Sequence, residues 1–311
     1  MSEVIALAVA DIHLSHKPPA ARAAEPDWYA AMERPLKQLA ALRLEIALQG
    51  SNHVPILCAG DVFNSWNSCP ELVNFAIRNL PVMYAVPGQH DLPHHEYGGI
   101  VRSAYWTLVE EGTIKNLEPG KPEWLGPLVV HGFPFGCEVK PLGKGKTNRR
   151  VNVALVHDYV WFGGSRYPNC PDNKHLSFYE KKLKGYDVAV FGDNHQPFLS
   201  KKKDCLVVNP GCLIPRKSDE RSILPGVYLL HDDLSVVRQE LDVSQDKWSE
   251  ACLDESSMEV ELDGMRDFLD ELGSLDADSL DFEAAVRRYC SENKVSKRTE
   301  QLVLRSMEVD G

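Results

Sequence analysis

Long apolar runs are missing from this 311-residue chain. None approaches the roughly 20 residues that a helix needs to cross a bilayer, so no membrane span is expected. The cysteines, eight in all, include no Cys-x-x-Cys pair, which argues against a structural zinc site. Cys58 and Cys205 lie in apolar, strand-like surroundings and read as buried thiols. That usage suits a reducing compartment. An excess of basic charge is absent too. The net charge is −11, which excludes a general basic coat for nucleic acid but leaves room for a local patch. Residues 244–311 carry 18 acidic and 8 basic side chains, leaving residues 1–243 at only −1. No basic stretch precedes the first apolar run, so no signal peptide is expected and the protein is read as cytoplasmic.

What is present is an alternation of apolar strands with amphipathic stretches. Val4–Ala10, Val54–Ala59 and Pro81–Val86 read as strands. Between them, Trp28–Gln49 has helical spacing, with Leu36, Leu39, Leu42 and Ile46 on one face and Gly50 as the C-cap. Asn67 or Ser68 is expected to cap a second helix carrying Leu72, Phe75 and Ile77. This β-α-β-α-β order implies parallel strands with crossover helices. From Leu128 onward the strands are short and closer together: Leu128–His131, Val151–His157, Val188–Phe191, Leu206–Asn209, Gly226–Leu230 and Ser235–Leu241. One helix is expected between Ser177 and Lys184. The fold class that fits is α/β, with two packed mixed sheets flanked by helices.

Two segments stand apart. Lys140–Arg150 is basic and contains glycines; it reads as a solvated hairpin loop or as a phosphate-contacting finger. Beyond Ser244 the composition turns acidic. Met258–Leu272, Phe282–Asn293 and Lys297–Met307 have helical spacing and hold no site-like residues. The expected division is therefore residues 1–243 as the catalytic body and 244–311 as a small helical appendage. That appendage either packs on its own domain or docks a partner through Leu302, Leu304 and Met307.

Five short segments carry the chemistry. They are Asp11-Ile12-His13, Gly60-Asp61-Val62-Phe63, Gly88-Gln89-His90-Asp91, His157, and Gly192-Asp193-Asn194-His195. Singly, each is a common turn. Together they occur in a fixed order, each after a strand, and each supplies an oxygen or imidazole ligand suited to a hard divalent cation. Side chains at the ends of neighbouring strands converge at one sheet edge, where open α/β folds build their sites. A carboxylate shared by two ions about 3.5–4 Å apart is the usual core of a two-metal hydrolase.

These segments resemble the five motifs of the calcineurin-like metallophosphoesterase superfamily: Asp-x-His, Gly-Asp, Gly-Asn-His-Asp, His and Gly-His-x-His. The resemblance extends from about Val4 to Leu241. Within that superfamily the chain is most similar to SbcD-type DNA repair exonuclease subunits. Gly192-Asp193-Asn194-His195-Gln196-Pro197 resembles their Gly-His-x-His-x-Pro. Asn209-Pro210-Gly211-Cys212 resembles their turn near the site, and Gly132-Phe133-Pro134-Phe135 resembles a further Gly-x-Pro-Tyr segment. The resemblance implies Asp11, His13 and His195 on a first metal, a bridging Asp61, and Gln89, His157 and Asp193 on a second. It makes His90 the acid or transition-state stabiliser, with Asp91 behind it to orient the imidazole.

Two positions depart from the pattern. Gln89 stands where Asn is expected, and Asp193 where His is expected. Both changes keep or add oxygen, which favours Mn²⁺ or Mg²⁺ over softer ions. The implied function is Mn²⁺-dependent hydrolysis of DNA phosphodiester bonds by two metals, with an SMC-like ATPase subunit of SbcC type as partner. A homodimer stays open. The rival readings are a small-molecule phosphomonoesterase or cyclic-nucleotide phosphodiesterase, and a catalytically weak scaffold that binds DNA or an ATPase.

Overall fold

Side chains on neighbouring positions of a strand point to opposite faces, and here both faces are apolar. In Val151–His157, Val153 and Leu155 enter one buried layer while Ala154 and Val156 enter another. A parallel strand buried on both sides needs a covering layer on each. The computed structural model describes residues 2–50, 54–143, 150–167 and 170–249, and two six-stranded sheets supply the central layers.

In the first sheet, β1 (Val4–Val9), β2 (Ile56–Cys58), β3 (Met83–Ala85) and β4 (Ile114–Asn116) run parallel. The crossovers contain α1 (Trp28–Leu48), α2 (Pro70–Asn79) and α3 (Ala104–Glu111). In the second sheet, β6 (Leu128–Phe133), β7 (Val151–His157), β8 (Val188–Gly192) and β10 (Cys205–Asn209) run parallel. Its edges are antiparallel: β5 (Pro122–Leu125) on β6 and β9 (Phe198–Lys202) on β10. The chain then returns to the first sheet. β11 (Gly226–His231) pairs antiparallel with β1, and β12 (Val236–Glu240) forms the edge.

Ala8, Leu57, Val86, Val130, Val153, Leu155 and Val190 fill the layer between the sheets. The helices cover the outer face of the first sheet through Leu36, Leu39, Leu72, Phe75 and Leu108. An irregular segment after β7 covers the outer face of the second, with Val160, Leu176 and Tyr179 on Val156 and Phe191. The expected α/β sandwich is thus the observed one.

Local differences have local causes. The α2 helix starts at Pro70, not after Asn67 or Ser68. Proline suits the first helical position, and the Ser68 hydroxyl donates to Ser65 O instead. The helix expected over Ser177–Lys184 is a single 3₁₀ turn, Leu176–Tyr179, followed by turns. Leu176, Tyr179 and Leu183 reach the sheet from that turn without a longer helix. The α3 helix and the strands β4, β5 and β9 were not anticipated. Their runs are short, and β5 leaves three of its four residues exposed.

Cys58 and Cys205 are both buried, as expected. Residues 244–249 lie against the body. Asp246 pairs with Arg22 at 3.0 Å and Arg34 at 2.8 Å, and Trp248 stacks on the Arg22 guanidinium. The helices expected beyond Met258, and residues 144–149 of the basic segment, lie outside the described residues. Among the described residues no helix is long and apolar enough to cross a membrane.

Candidate metal centre

The five motif segments meet at one edge of the two sheets. Asp11 and His13 follow β1, Asp61 follows β2, and Gln89–Asp91 follow β3. His157 ends β7, and Asp193–His195 follow β8. Backbone hydrogen bonds lace the segments together: Asp11 N to Gly60 O at 3.0 Å and His13 N to Asp61 O at 2.9 Å. The Asp193 amide crosses from the second sheet to donate to Asp11 Oδ1 at 3.0 Å. Asp11 (φ 50°), His13 (51°), Asp61 (52°) and Asp193 (78°) all adopt left-handed backbone, which is uncommon for residues other than glycine and clusters at functional sites. Gly88 is required by contact: a Cβ there would lie 2.0 Å from Asp61 Oδ1 and 2.6 Å from His157 Nε2.

The side chains form overlapping ligand sets. Asp11, His13 and His195 place one ligand atom each within 4.8 Å of one another, as do His13, Asp61 and His90, and Asp11, Asp61 and His157. Gln89 joins the same cluster. Its Oε1 lies 2.6 Å from His157 Nε2, and its Nε2 donates to Asp193 Oδ1 at 2.8 Å. Every residue expected to hold metal is therefore in one cluster.

The donors fit divalent ions. His13 Nε2 and His195 Nε2 face each other at 3.1 Å. Among the described residues Asp61 Oδ2 is buried with no hydrogen-bond donor, yet lies 3.4 Å from His157 Nε2 and 3.7 Å from His13 Nε2. A buried carboxylate oxygen is costly to leave unmatched, and a cation between these atoms satisfies it. Two of the rings are oriented from behind, as metal-binding histidines commonly are, whereas His13 Nδ1 has no partner among the described residues. His157 Nδ1 donates to Ala59 O at 2.5 Å, and His195 Nδ1 donates to Glu220 Oε1. Both rings thus turn Nε2 inward.

Charge in the centre is correspondingly displaced. Burial raises the Asp11 carboxyl to about 7, against the pull of the His195 and His157 imidazoles. Burial would raise Asp61 too, but His157 and His90 outweigh it and hold it at about 2. Burial alone would lower His157; the Asp61 carboxylate overrides it and raises the imidazole well above its usual range. His13 is lowered by burial and by the positive charge of Arg216.

The expected role of Asp91 is corrected. Its buried carboxylate accepts from the amides of Val62 at 3.1 Å, Phe63 at 2.9 Å and Gly88 at 3.0 Å. No contact with the His90 ring occurs among the described residues. Asp91 braces the loop bearing Asp61 against the loop bearing His90, because three orphan amides compete successfully for its two oxygens. His90 sits with His13 and Asp61, its amide donating to Asp61 Oδ1 at 3.0 Å.

Two residues that brace the site, Glu220 and Arg216, were missed, and Asn194 was quoted in its motif without a role. Glu220 holds His195. Asn194, fully buried, donates to Val160 O and Ser165 O, each at 2.8 Å. Arg216 donates from Nη1 to Asn64 Oδ1 at 2.5 Å. Asn194 was flagged by its place inside the fifth motif. Arg216 and Glu220 lie in a polar Arg-Lys-Ser-Asp-Glu run that looks like surface.

The fold and the donor set define a metal-dependent phosphoesterase. The chain belongs to the calcineurin-like phosphoesterase superfamily, whose domain model matches residues 6–232. This is a family of hydrolases that use divalent metals. No curated protein matches the chain. Among solved structures it is similar to the sulfate thiohydrolase SoxB of Thermus thermophilus in complex with glycerol, with 13% identity and a TM-score of 0.48. That alignment covers 84% of this chain and 60% of the other. It is also similar to a putative 5'-nucleotidase from Staphylococcus aureus, with 13% identity, a TM-score of 0.44, and coverage of 79% and 56%.

Proposed function

We propose that this protein is a metal-dependent phosphodiesterase acting on DNA, of the kind it resembles among SbcD-type nuclease subunits. The observation that carries this reading is the wiring of the Asn209–Cys212 turn into the metal centre. Asn209 Nδ2 donates to Asn194 O at 2.7 Å and to Gln196 O at 2.9 Å. Gly211, with φ 73°, packs where a Cβ would lie 2.5 Å from His195 O and 3.0 Å from Pro197. The two features that single out the nuclease branch, Pro197 and the Pro-Gly turn, therefore form one physical unit with the ligand His195.

Asp11, His13 and His195 would hold one ion, Gln89, His157 and Asp193 the other, and Asp61 both. Bound divalent ions polarise the phosphoryl oxygens and make water nucleophilic at neutral pH. Two oxygen donors, Gln89 and Asp193, favour Mn²⁺, with Mg²⁺ as the second choice. The chain's own work is then positional. Asp91 fixes the loop so that the partly exposed His90 ring meets the leaving oxygen as a proton donor. The acidic residues beyond 249 would repel DNA, and so suit a docking role toward an SMC-like ATPase subunit.

One observation favours a second reading, a small-molecule phosphoesterase: the body as a whole is not basic. Hydrolysis assays with Mn²⁺ on single-stranded DNA and on a chromogenic phosphodiester decide between them. The nuclease reading expects both to be cleaved; cleavage of the small ester alone overturns it.

A further inference from the structure

One buried guanidinium near the metal centre has no carboxylate paired with it among the described residues. Arg216 is 8% exposed. Its backbone amide donates to Glu220 Oε2 at 2.6 Å, and Glu220 holds His195. Its guanidinium donates to Asn64, whose own amide donates to Leu14 O at 2.9 Å. Leu14 follows the ligand His13, and Asn64 follows the Asp61 motif. The guanidinium is therefore fixed to the two ligand loops of the first sheet, while its backbone is fixed to the brace of a ligand from the second.

A guanidinium has five N–H donors. Asn64 is the one acceptor given to it among the described residues, and the buried Nε has no partner. No carboxylate lies within 4.0 Å of it among the described residues. Glu220 is the nearest acid in sequence, but Oε1 serves His195 and Oε2 takes the Arg216 and Lys217 amides. Arg22 shows how this fold treats a buried arginine that only supports structure. Arg22 Nη2 meets Glu25 at 2.6 Å and Asp246 at 3.0 Å, and the guanidinium lies over Trp28 and Trp248. Both arginines leave Nε unpartnered, but among the described residues the Arg216 guanidinium meets neither a carboxylate nor an aromatic face.

Burying an uncompensated charge is expensive, and divalent ions next to it raise that cost by repulsion. An anion between them reverses the sign of both effects. Phosphoryl oxygens suit the guanidinium fork, which bonds them bidentately. We propose that Arg216 is a substrate-binding residue that receives the non-bridging oxygens of the scissile phosphate, on the side of the centre formed by His13 and His195. This rests on the phosphoesterase reading. It does not depend on whether the ester is DNA or a small molecule.

The test is calorimetric binding of inorganic phosphate to the Mn²⁺-loaded full chain, read without turnover. Arg216→Gln should raise the phosphate Kd at least tenfold while Mn²⁺ stoichiometry and affinity stay unchanged. Arg216→Lys should recover part of the affinity. Unchanged phosphate binding in Arg216→Gln overturns the proposal. Loss of Mn²⁺ from both variants also overturns it, because Arg216 would then be a brace for Glu220 and His195. Should Arg216→Gln fail to fold, Arg216→Lys decides: an unchanged phosphate Kd overturns the assignment, and a several-fold weaker one with Mn²⁺ retained supports it. Absence of DNA cleavage by the native protein would defeat the nuclease reading alone and leave this comparison standing.

Discussion

Asp61 is the most constrained side chain of the centre. It accepts from the His90 amide through Oδ1, faces two imidazoles through Oδ2, and touches the space that Gly88 leaves open. Asp61→Asn keeps the shape and removes the charge. It should abolish hydrolysis and weaken Mn²⁺ binding while the far-ultraviolet spectrum stays native. Retention of more than about a tenth of the activity, a barrier change under about 1.4 kcal/mol, would remove Asp61 from the bridging role. His90 poses a sharper question, because it lies among potential ligands. His90→Ala should lower turnover and leave Mn²⁺ stoichiometry intact in calorimetry; a lost ion would make His90 a ligand. The residues that cluster at the site were legible in the sequence because each is a metal-competent residue placed directly after an apolar run. Arg216 and Glu220 were not. Their burial comes from contacts with Asn64 and His195, 152 and 25 positions away, and no local pattern encodes such contacts.

At the level of elements, the loops after the strands act as one braced unit. Asp91 ties the second motif to the third through three amides, so Asp91→Asn should loosen both loops at once. Above pH 7, where Asp91 is ionised, three charge-assisted acceptor contacts become weaker neutral ones. Thermal stability should fall by roughly 1–3 kcal/mol, and Mn²⁺ affinity should fall with it. Loss of turnover with no change in either would instead give Asp91 a direct part in the reaction. The sandwich itself was readable from strand alternation and from the β-α-β order. Short edge elements such as β5 and β9 were not, because sheet pairing holds them more than their own pattern does. The Leu176–Tyr179 turn shows the converse: an apolar spacing that looks helical is satisfied by less than a helix.

For the molecule as a whole, the centre couples stability to pH and to metal. Asp11 and Asp91 both stand at about 7, raised from the usual 3.8 by burial. Each binds its proton more tightly in the folded state. Their stabilising contribution is therefore full below about pH 4 and is lost as pH rises through 7. Asp61 and Glu220, held at about 2, act oppositely, and only at pH below the ordinary carboxylate range. In chelator, the melting temperature should fall between pH 5 and pH 8, and Mn²⁺ should restore most of the loss at pH 8. A melting temperature that rises over this interval without metal would contradict the assignment.

The C-terminal boundary is testable in the same way. Truncation after Ser249 keeps Asp246 on Arg22 and Arg34. Truncation after Gln245 removes Asp246 and leaves Arg22 and Arg34 to share Glu25 alone. The shorter chain should melt earlier, by an amount equivalent to roughly 1–3 kcal/mol, the scale of lost hydrogen bonds to charged groups. Equal melting temperatures would show that Asp246 contributes nothing to the body.

The proposed ligands are divided between the two sheets: Asp11, His13, Asp61 and Gln89 on one, His157, Asp193 and His195 on the other. Nothing in the apolar layer between the sheets touches substrate, yet that layer sets their alignment. Leu155 and Val190 lie within it, two or three residues before the ligands at the ends of their strands. Small volume changes at such positions would shift one half of the coordination shell against the other. Mutational tolerance should therefore be uneven: a core that could absorb a methylene for folding cannot absorb it for catalysis. Natural variation between the sheets should be narrower than variation under the helices.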